Sequence, residues 1–390
     1  MFGKKESVLV RPIPITVLTG YLGSGKTTVI NHVLNNQEGM KVAVIVNDMG
    51  EVNIDASLIE KGNRVSQSDN SLVPLSNGCI CCTLRTDLVR QVGQLVKSNR
   101  YDYILIEASG ICEPLPIAQT LTLMDGSIGN GRLPKLCRLD TIATVVDACR
   151  LETEFLGGAS LLLAKELDED DIVQLLVQQI EFCNVIIVNK VDLVSESQLN
   201  RIKAILQKLQ PSANIICTEH GKIDPKDVLN TQLFNFQEAC LAPGWVQELE
   251  KVKNGEKEGE EEEYGINSFV YDRRLPFDPL KLSKWLDRWP KNIVRCKGIA
   301  WLSNHNDTIF LFEQAGQAVD MTPFGRWIAS GTKYEQQEAL AKNPDSKKDW
   351  DPKVGDRMTR LVFIGIRLDR EKISASLDQC LLRETVSSRQ

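Results

Sequence analysis

The octapeptide GYLGSGKT, from Gly20 to Thr27, constrains this chain more than any other feature. It is a full GxxxxGK[ST] pattern, preceded by the apolar run PITVLT (14–19) and followed by the helical pattern TTVINHVL. Gly20, Gly23 and Gly25 free the backbone to turn its amide N–H groups inward, and those amides together with the helix N-terminus suit phosphates. Ser24, Lys26, Thr27 and Thr28 complete the predicted phosphate cradle. Lys26 is placed to reach the β- and γ-phosphates and the Thr27 hydroxyl to ligate Mg²⁺.

The surrounding pattern agrees with the loop. Runs rich in Val and Ile at 14–19, 41–48, 101–108, 140–148, 184–190 and 213–219 predict strands covered on both faces. Helical patterns at 25–36, 84–98, 170–182 and 195–209 lie between them. The fold class is therefore α/β, with a mostly parallel sheet and helices on both faces. After about residue 240 the pattern changes. The stretch 250–263, EKVKNGEKEGEEEE, reads as a solvated linker. Beyond it, INSFVYDRR, KGIAWLS, DTIFLFEQAG and RLVFIGIRL predict strands, while PLKLSKWLDRW and REKISASLDQCLL predict helices. Residues 338–357 read as a long polar loop. The expected organisation is a nucleotide domain over 1–245, an acidic linker over 246–264 and a smaller C-terminal α+β domain over 265–390.

Asn189-Lys190-Val191-Asp192 follows the strand NVIIV and selects the base. The Asp192 carboxylate can accept from guanine N1–H and N2–H₂, a donor pair that adenine lacks. Asn189 can bond the O6/N7 side, and the Lys190 stem can cover the ring. Behind a phosphate loop, at a strand end where ligands gather, the set favours GTP over ATP. Glu107 closes the run YDYILIE and resembles a carboxylate that holds Mg²⁺ through water. Gly110, just beyond it, is a candidate γ-phosphate contact. Asp48 is a second candidate for the Mg²⁺ shell. Lys26, Thr27, Glu107 and Gly110 thus form the catalytic set, with no evident catalytic Gln or Arg.

Cys79, Cys81 and Cys82 place three of the eleven cysteines within four residues. Thiolates are soft ligands suited to Zn²⁺ or a similar ion. Three ligands from one short loop leave an open position, which suits transfer better than permanent binding. Glu51, His220, Cys112 or water could supply the fourth ligand. Incidental cysteines, a redox pair, or a zinc that only pins the loop are the alternatives. The other cysteines read as small hydrophobes or bystanders.

A net charge of −6 argues against a general nucleic-acid binder. No signal peptide or membrane span is evident, so the expectation is a cytoplasmic protein.

TGYLGSGKTT, VNDMGEVNID, LSNGCICCTLRTDL, YILIEASGICEP, VVDA and VNKVDL together resemble the CobW-type metallochaperone GTPases. The resemblance extends through SFVYDRRLPFDPLKL, RCKGIAWL and LVFIGIRL. It implies a P-loop GTPase domain, metal at Cys79, Cys81 and Cys82, and GTP-controlled delivery to a client metalloprotein. Zinc-allocation members are the nearest in pattern. Two departures stand out. Many relatives carry a His-rich stretch between the domains, where this chain has its acidic run. A His of the relatives is Asp278 here, so no metal role is expected there. The alternatives to a chaperone are a nucleotide-modulated metal sensor with incidental turnover and a P-loop small-molecule kinase.

Overall fold

The computed structural model describes residues 12–36, 39–46, 72–74, 84–125, 135–153, 169–253, 265–316, 318–342 and 345–382. Asp48, Glu51, Cys79, Cys81 and Cys82 lie outside the described residues. The chain divides into two compact units: 1–153 with 175–243, and 154–174 with 244–390.

The first unit contains β1 (Ile13–Thr19), α1 (Lys26–Asn35), β2 (Val42–Val46), β3 (Leu72–Pro74), α2 (Leu84–Ser98), β4 (Tyr103–Glu107) and α3 (Pro114–Met124). It continues with β5 (Cys137–Asp147), the short α4 (Ala148–Leu151), α5 (Glu169–Glu181) from residue 175 on, β6 (Val185–Asn189), α6 (Glu196–Leu209), β7 (Asn214–Thr218) and α7 (Phe236–Leu241). The seven strands form one parallel sheet in the order β3-β2-β4-β1-β5-β6-β7. β2, β4 and β6 are buried at every position, as their unbroken apolar runs require. Val29, Ile30 and Val33 of α1 pack against Leu18, Val44, Leu105 and Val145 of the sheet. Full burial of each such side chain contributes about 1.5–3 kcal/mol.

The second unit contains α8 (Gly244–Lys253), β8 (Ile266–Arg273), α9 (Pro279–Leu286), β9 (Ile293–Ala300), β10 (Thr308–Ala315) and β11 (Ala318–Arg326). α10 (Lys333–Lys342), α11 (Asp345–Lys348), β12 (Thr359–Ile366) and α12 (Arg370–Asp378) complete it. Its five strands pair antiparallel in the order β11-β10-β9-β12-β8. α9 and α12 close an aromatic core of Phe269, Tyr271, Phe277, Trp289, Phe312 and Phe363. Asp278 plays a structural part, since its Oδ1 accepts from the amides of Leu280 and Lys281 and caps α9.

Three expectations change. The stretch 246–264 begins inside α8, which packs on β8 and β12, so its first part is helix. The polar stretch 338–357 is not one loop, because α10 and α11 occupy much of it. β11 is an additional strand that the sequence pattern hid. It carries Pro323 and Gly325, and it lies at the sheet edge, where a missing N–H is tolerated.

Candidate nucleotide site

Parallel register brings the functional residues to one edge of the sheet. Leu18 pairs with Glu107, Asp147 with Asn189, and Asn189 with Thr218. The phosphate loop, Glu107, Asp147, Asn189 and the turn after β7 therefore all lie at carboxyl ends of strands, where ligands bind in open α/β sheets. The order reverses at β1, which sits between β4 and β5.

The loop needs its glycines for stated reasons. Gly20 has φ 132°, and an added Cβ would lie 2.3 Å from the Val145 carbonyl oxygen. Gly25 has φ 104°, and its Cβ would lie 2.2 Å from Nδ2 of Asn189. Gly23, at φ 76°, has room around it and needs glycine for its backbone alone. No side chain caps the N-terminus of α1, and a helix N-terminus behind such a loop is a ready anion site. Lys26 is buried, and its Nζ donates to the carbonyls of Gly20 and Tyr21 at 2.7 and 3.2 Å.

Thr27 Oγ1 donates to Glu107 Oε1 at 3.2 Å, and Glu107 is only 2 % exposed. Two hard oxygen donors from different elements converge there, a set that fits Mg²⁺. Gly110 rests on the crest of the loop, where a Cβ would approach the Leu22 amide nitrogen to 2.8 Å. Gly110 and the phosphate loop thus share one packing surface. Gln179 Nε2 holds this turn through the carbonyls of Gly110 and Cys112, at 3.4 and 3.0 Å.

At the base end, Asn189 makes two bonds that the sequence did not show. Its Nδ2 donates to the Ser24 carbonyl at 2.9 Å and its Oδ1 accepts from the Gly221 amide at 3.0 Å. Asn189 is 2 % exposed, and a buried carboxamide must find partners inside the protein. It braces the phosphate loop against the turn after β7. Asp192 is exposed on the turn Val191–Leu193. Lys190 adopts φ 62° and pairs through Nζ with Asp147 Oδ2 at 2.6 Å.

Two residues at the site escaped notice in the sequence. Asp147 anchors Lys190 and caps α4 by accepting from the Arg150 amide at 3.1 Å. The Arg150 guanidinium lies 4.1 Å from the centre of the Tyr21 ring and donates to the Leu22 carbonyl at 3.5 Å. The only signal for Asp147 was its place at a strand end within VVDA. Arg150 had none, because its partner is 129 positions away in sequence.

Among the described residues no three His, Cys, Asp or Glu side chains gather as a metal site. His220, at φ 53°, is exposed beside Gly221 and the Asn189 brace, at the end of β7. β7 and β3 form opposite edges of the sheet, six strand spacings or roughly 29 Å apart. Cys112 is buried, with its thiol donating to the Glu113 carbonyl. Burial pushes the thiols of Cys137 and Cys183 up to about 12 and that of Cys296 well above its usual value. These three are protonated packing residues at neutral pH, whereas Cys217 and Cys240 are exposed.

The fold and this edge define a P-loop nucleotide-binding protein. Residues 14–217 match the CobW/HypB/UreG nucleotide-binding domain, and residues 266–381 match the cobalamin synthesis protein cobW C-terminal domain. The chain belongs to the CobW/HypB/UreG family, as its motifs led us to expect. It is 40 % identical over 388 residues to the zinc-regulated GTPase metalloprotein activator 1 of Dictyostelium discoideum, covering 95 % of this chain and 80 % of that protein. It is 27 % identical over 380 residues to the zinc chaperone YjiA of Escherichia coli (strain K12), covering 94 % of this chain and 98 % of that protein. The crystal structure of Zn(II)-bound YjiA GTPase from E. coli superposes with a TM-score of 0.42 at 22 % identity, over 95 % of this chain and 99 % of that one.

The exposed Asp192 leads to a first prediction. Asp192→Asn should weaken GTP binding by about 10²-fold and favour xanthine nucleotides, because the site then no longer accepts from N1–H and N2–H₂. Calorimetry with GTP, XTP and ATP measures this. Equal affinity of the unsubstituted protein for ATP and GTP would overturn the assignment of the base.

Proposed function

We propose that this P-loop GTPase is a zinc metallochaperone: it carries Zn²⁺ on Cys79, Cys81 and Cys82 and passes it to a client metalloprotein under control of GTP. The observation that carries the reading is the pairing of Thr27 with Glu107, three residues before Gly110, on the strand next to β2, which leads toward residues 47–51, with β3, which leads toward the CxCC segment, beyond it. The names of the two relatives, a zinc-regulated activator and a zinc chaperone, support zinc as the cargo.

In this reading, Lys26 and the loop amides neutralise the phosphates, and Thr27 and Glu107 hold Mg²⁺. The ion, when bound, stabilises charge on the transferring phosphoryl group. Asp192 selects guanine, while Asn189 and the Lys190–Asp147 pair fix the geometry of the base end. Gly110 senses the γ-phosphate. Three thiolates hold the cargo zinc and leave one position open to an incoming client ligand.

The test is capture of the client by the full chain loaded with zinc and a non-hydrolysable GTP analogue, followed by metal analysis after GTP is supplied. The expected result is a client that gains about one zinc per chain only when hydrolysis proceeds, with multiple turnover stimulated by zinc and client. Zinc that stays with this chain while GTP turns over unchanged would replace the chaperone with a nucleotide-modulated metal sensor.

A further inference from the structure

The C-terminal unit carries a cleft of about 820 Å³ between α9, α12 and the turn after β12. Five cations line it: Lys281, Lys284, Arg288, Arg367 and Lys372, with Trp285 as an aromatic wall. All five are exposed. Among the described residues, no ion pair to a carboxylate engages any of them. Two carboxylates also line the cleft. Asp369 is committed to capping α12 through the Lys372 amide, and Asp287 stands at the end of α9. The cleft therefore has a surplus of three positive charges. Like charges gathered in a concave surface raise the local potential and call for an anionic occupant.

The rim of the cleft shows where such an occupant is attached. The Arg367 amide donates to the Gly265 carbonyl at 2.6 Å. The Arg367 side chain lies along Gly265, where a Cβ would meet its Cγ at 3.0 Å and its Nε at 3.3 Å. Asn267 ties the same strand start to Leu368 through both its amide oxygen and its amide nitrogen, at 2.8 and 3.0 Å. Gly265 is thus pinned beside a cation of the cleft. Immediately before it in sequence stand Tyr264 and the run EKEGEEEE over 256–263, with six glutamates and one lysine for a charge of −5. Glu263 is two residues from Gly265, so its Cα lies within about 7 Å of it. Eight residues reach up to about 28 Å when extended.

We propose that the acidic run 256–263 of this chain occupies the cationic cleft of its own C-terminal unit. Each exposed ion pair alone is weak. Here several act together, and the tether at Gly265 supplies the run at an effective concentration in the millimolar range. The pairing is independent of the nucleotide site and of zinc, and it gives the acidic run a specific role on the protein surface.

The test uses the full chain and a labelled synthetic peptide with the sequence of 256–263, read by fluorescence anisotropy. Three proteins are compared: the unsubstituted chain, a chain whose run is replaced by Gly and Ser at equal length, and that replaced chain carrying Lys284→Glu, Arg288→Glu and Lys372→Glu. The replaced chain is expected to bind the peptide at least about tenfold more tightly than the unsubstituted chain, whose own run competes. Charge reversal should abolish binding. So should raising salt from ~0.1 M to ~1 M, which shortens the screening length from about 10 Å to about 3 Å. Carbodiimide cross-linking of the unsubstituted chain needs no variant, and it should join glutamates of the run to Lys281, Lys284 or Lys372. Equal peptide binding by the unsubstituted and replaced chains, no binding by the replaced chain, or cross-links only to lysines outside the cleft would each overturn the proposal.

Discussion

Glu107→Gln is expected to lower Mg²⁺-dependent GTP hydrolysis by about 10²–10³-fold while sparing most nucleotide affinity. The carboxylate accepts from the Thr27 hydroxyl at 3.2 Å and is almost fully buried at the end of β4. An amide there keeps the size of the side chain but loses the negative charge that would hold the metal. The phosphate loop, Lys26 and the α1 amides are untouched, so binding survives. Lys26→Ala should act differently. Its ammonium donates to the carbonyls of Gly20 and Tyr21 at the loop mouth, so its loss should remove phosphate binding itself. Phosphoryl transfer depends on positioning and charge stabilisation, so loss of either group is severe. Phosphate release measured against Mg²⁺ concentration, with nucleotide affinity measured in parallel, separates the two effects. Unchanged turnover in both variants would move the nucleotide site elsewhere.

Much of this edge was legible because its signals are local. The phosphate loop is eight consecutive residues, and the strands that frame it are unbroken apolar runs of the kind only a doubly covered sheet demands. What escaped was either short, at an edge, or long-range. β3 has three residues, too few to show a pattern. β11 alternates only weakly and is mostly exposed, because an edge strand of a small sheet packs little of itself. Gly316, at φ 62°, is the turn residue that joins it to β10, and the sequence shows that glycine without showing the strand beyond. Asn189 was placed at the site, but its brace to the phosphate loop was not visible in the sequence. The sequence displays its carboxamide but not its 2 % exposure, and burial is what demands its bonds to Ser24 and Gly221. Arg150 and Asp147 act on Tyr21 and Lys190, partners that only the sheet order brings near.

The sheet order also shapes the coupling expected between nucleotide and zinc. Glu107 pairs with Val46, and Val46 pairs with Pro74, so one row crosses β4, β2 and β3. The backbone of Pro74 is two strand spacings from that of Glu107, about 10 Å. Asp48 and Glu51 follow the middle strand of this row, and Cys79, Cys81 and Cys82 follow the outer one. The described ends of these two strands, Val46 and Pro74, lie in one row with Glu107, the carboxylate that pairs with Thr27. On the proposed function, a nucleotide that brings a γ-phosphate and Mg²⁺ to Gly110 and Glu107 is expected to act on the segment after β2, which carries a candidate fourth zinc ligand in Glu51. Zinc at the three thiols should therefore change GTP affinity, and GTP should change zinc affinity by the same factor, since linkage is reciprocal. We expect that factor to lie between about 5 and 150. Competition titrations with a zinc chelator, run with a non-hydrolysable GTP analogue, with GDP and without nucleotide, measure it directly. Serine in place of Cys79, Cys81 and Cys82 should abolish the zinc effect on GTP affinity and leave nucleotide binding itself intact. Glu51→Gln should preserve zinc binding in the GDP state and reduce the gain on adding the GTP analogue. Identical zinc affinity in all three nucleotide states would mean that zinc only pins the loop, and that hydrolysis has no thermodynamic means to release it.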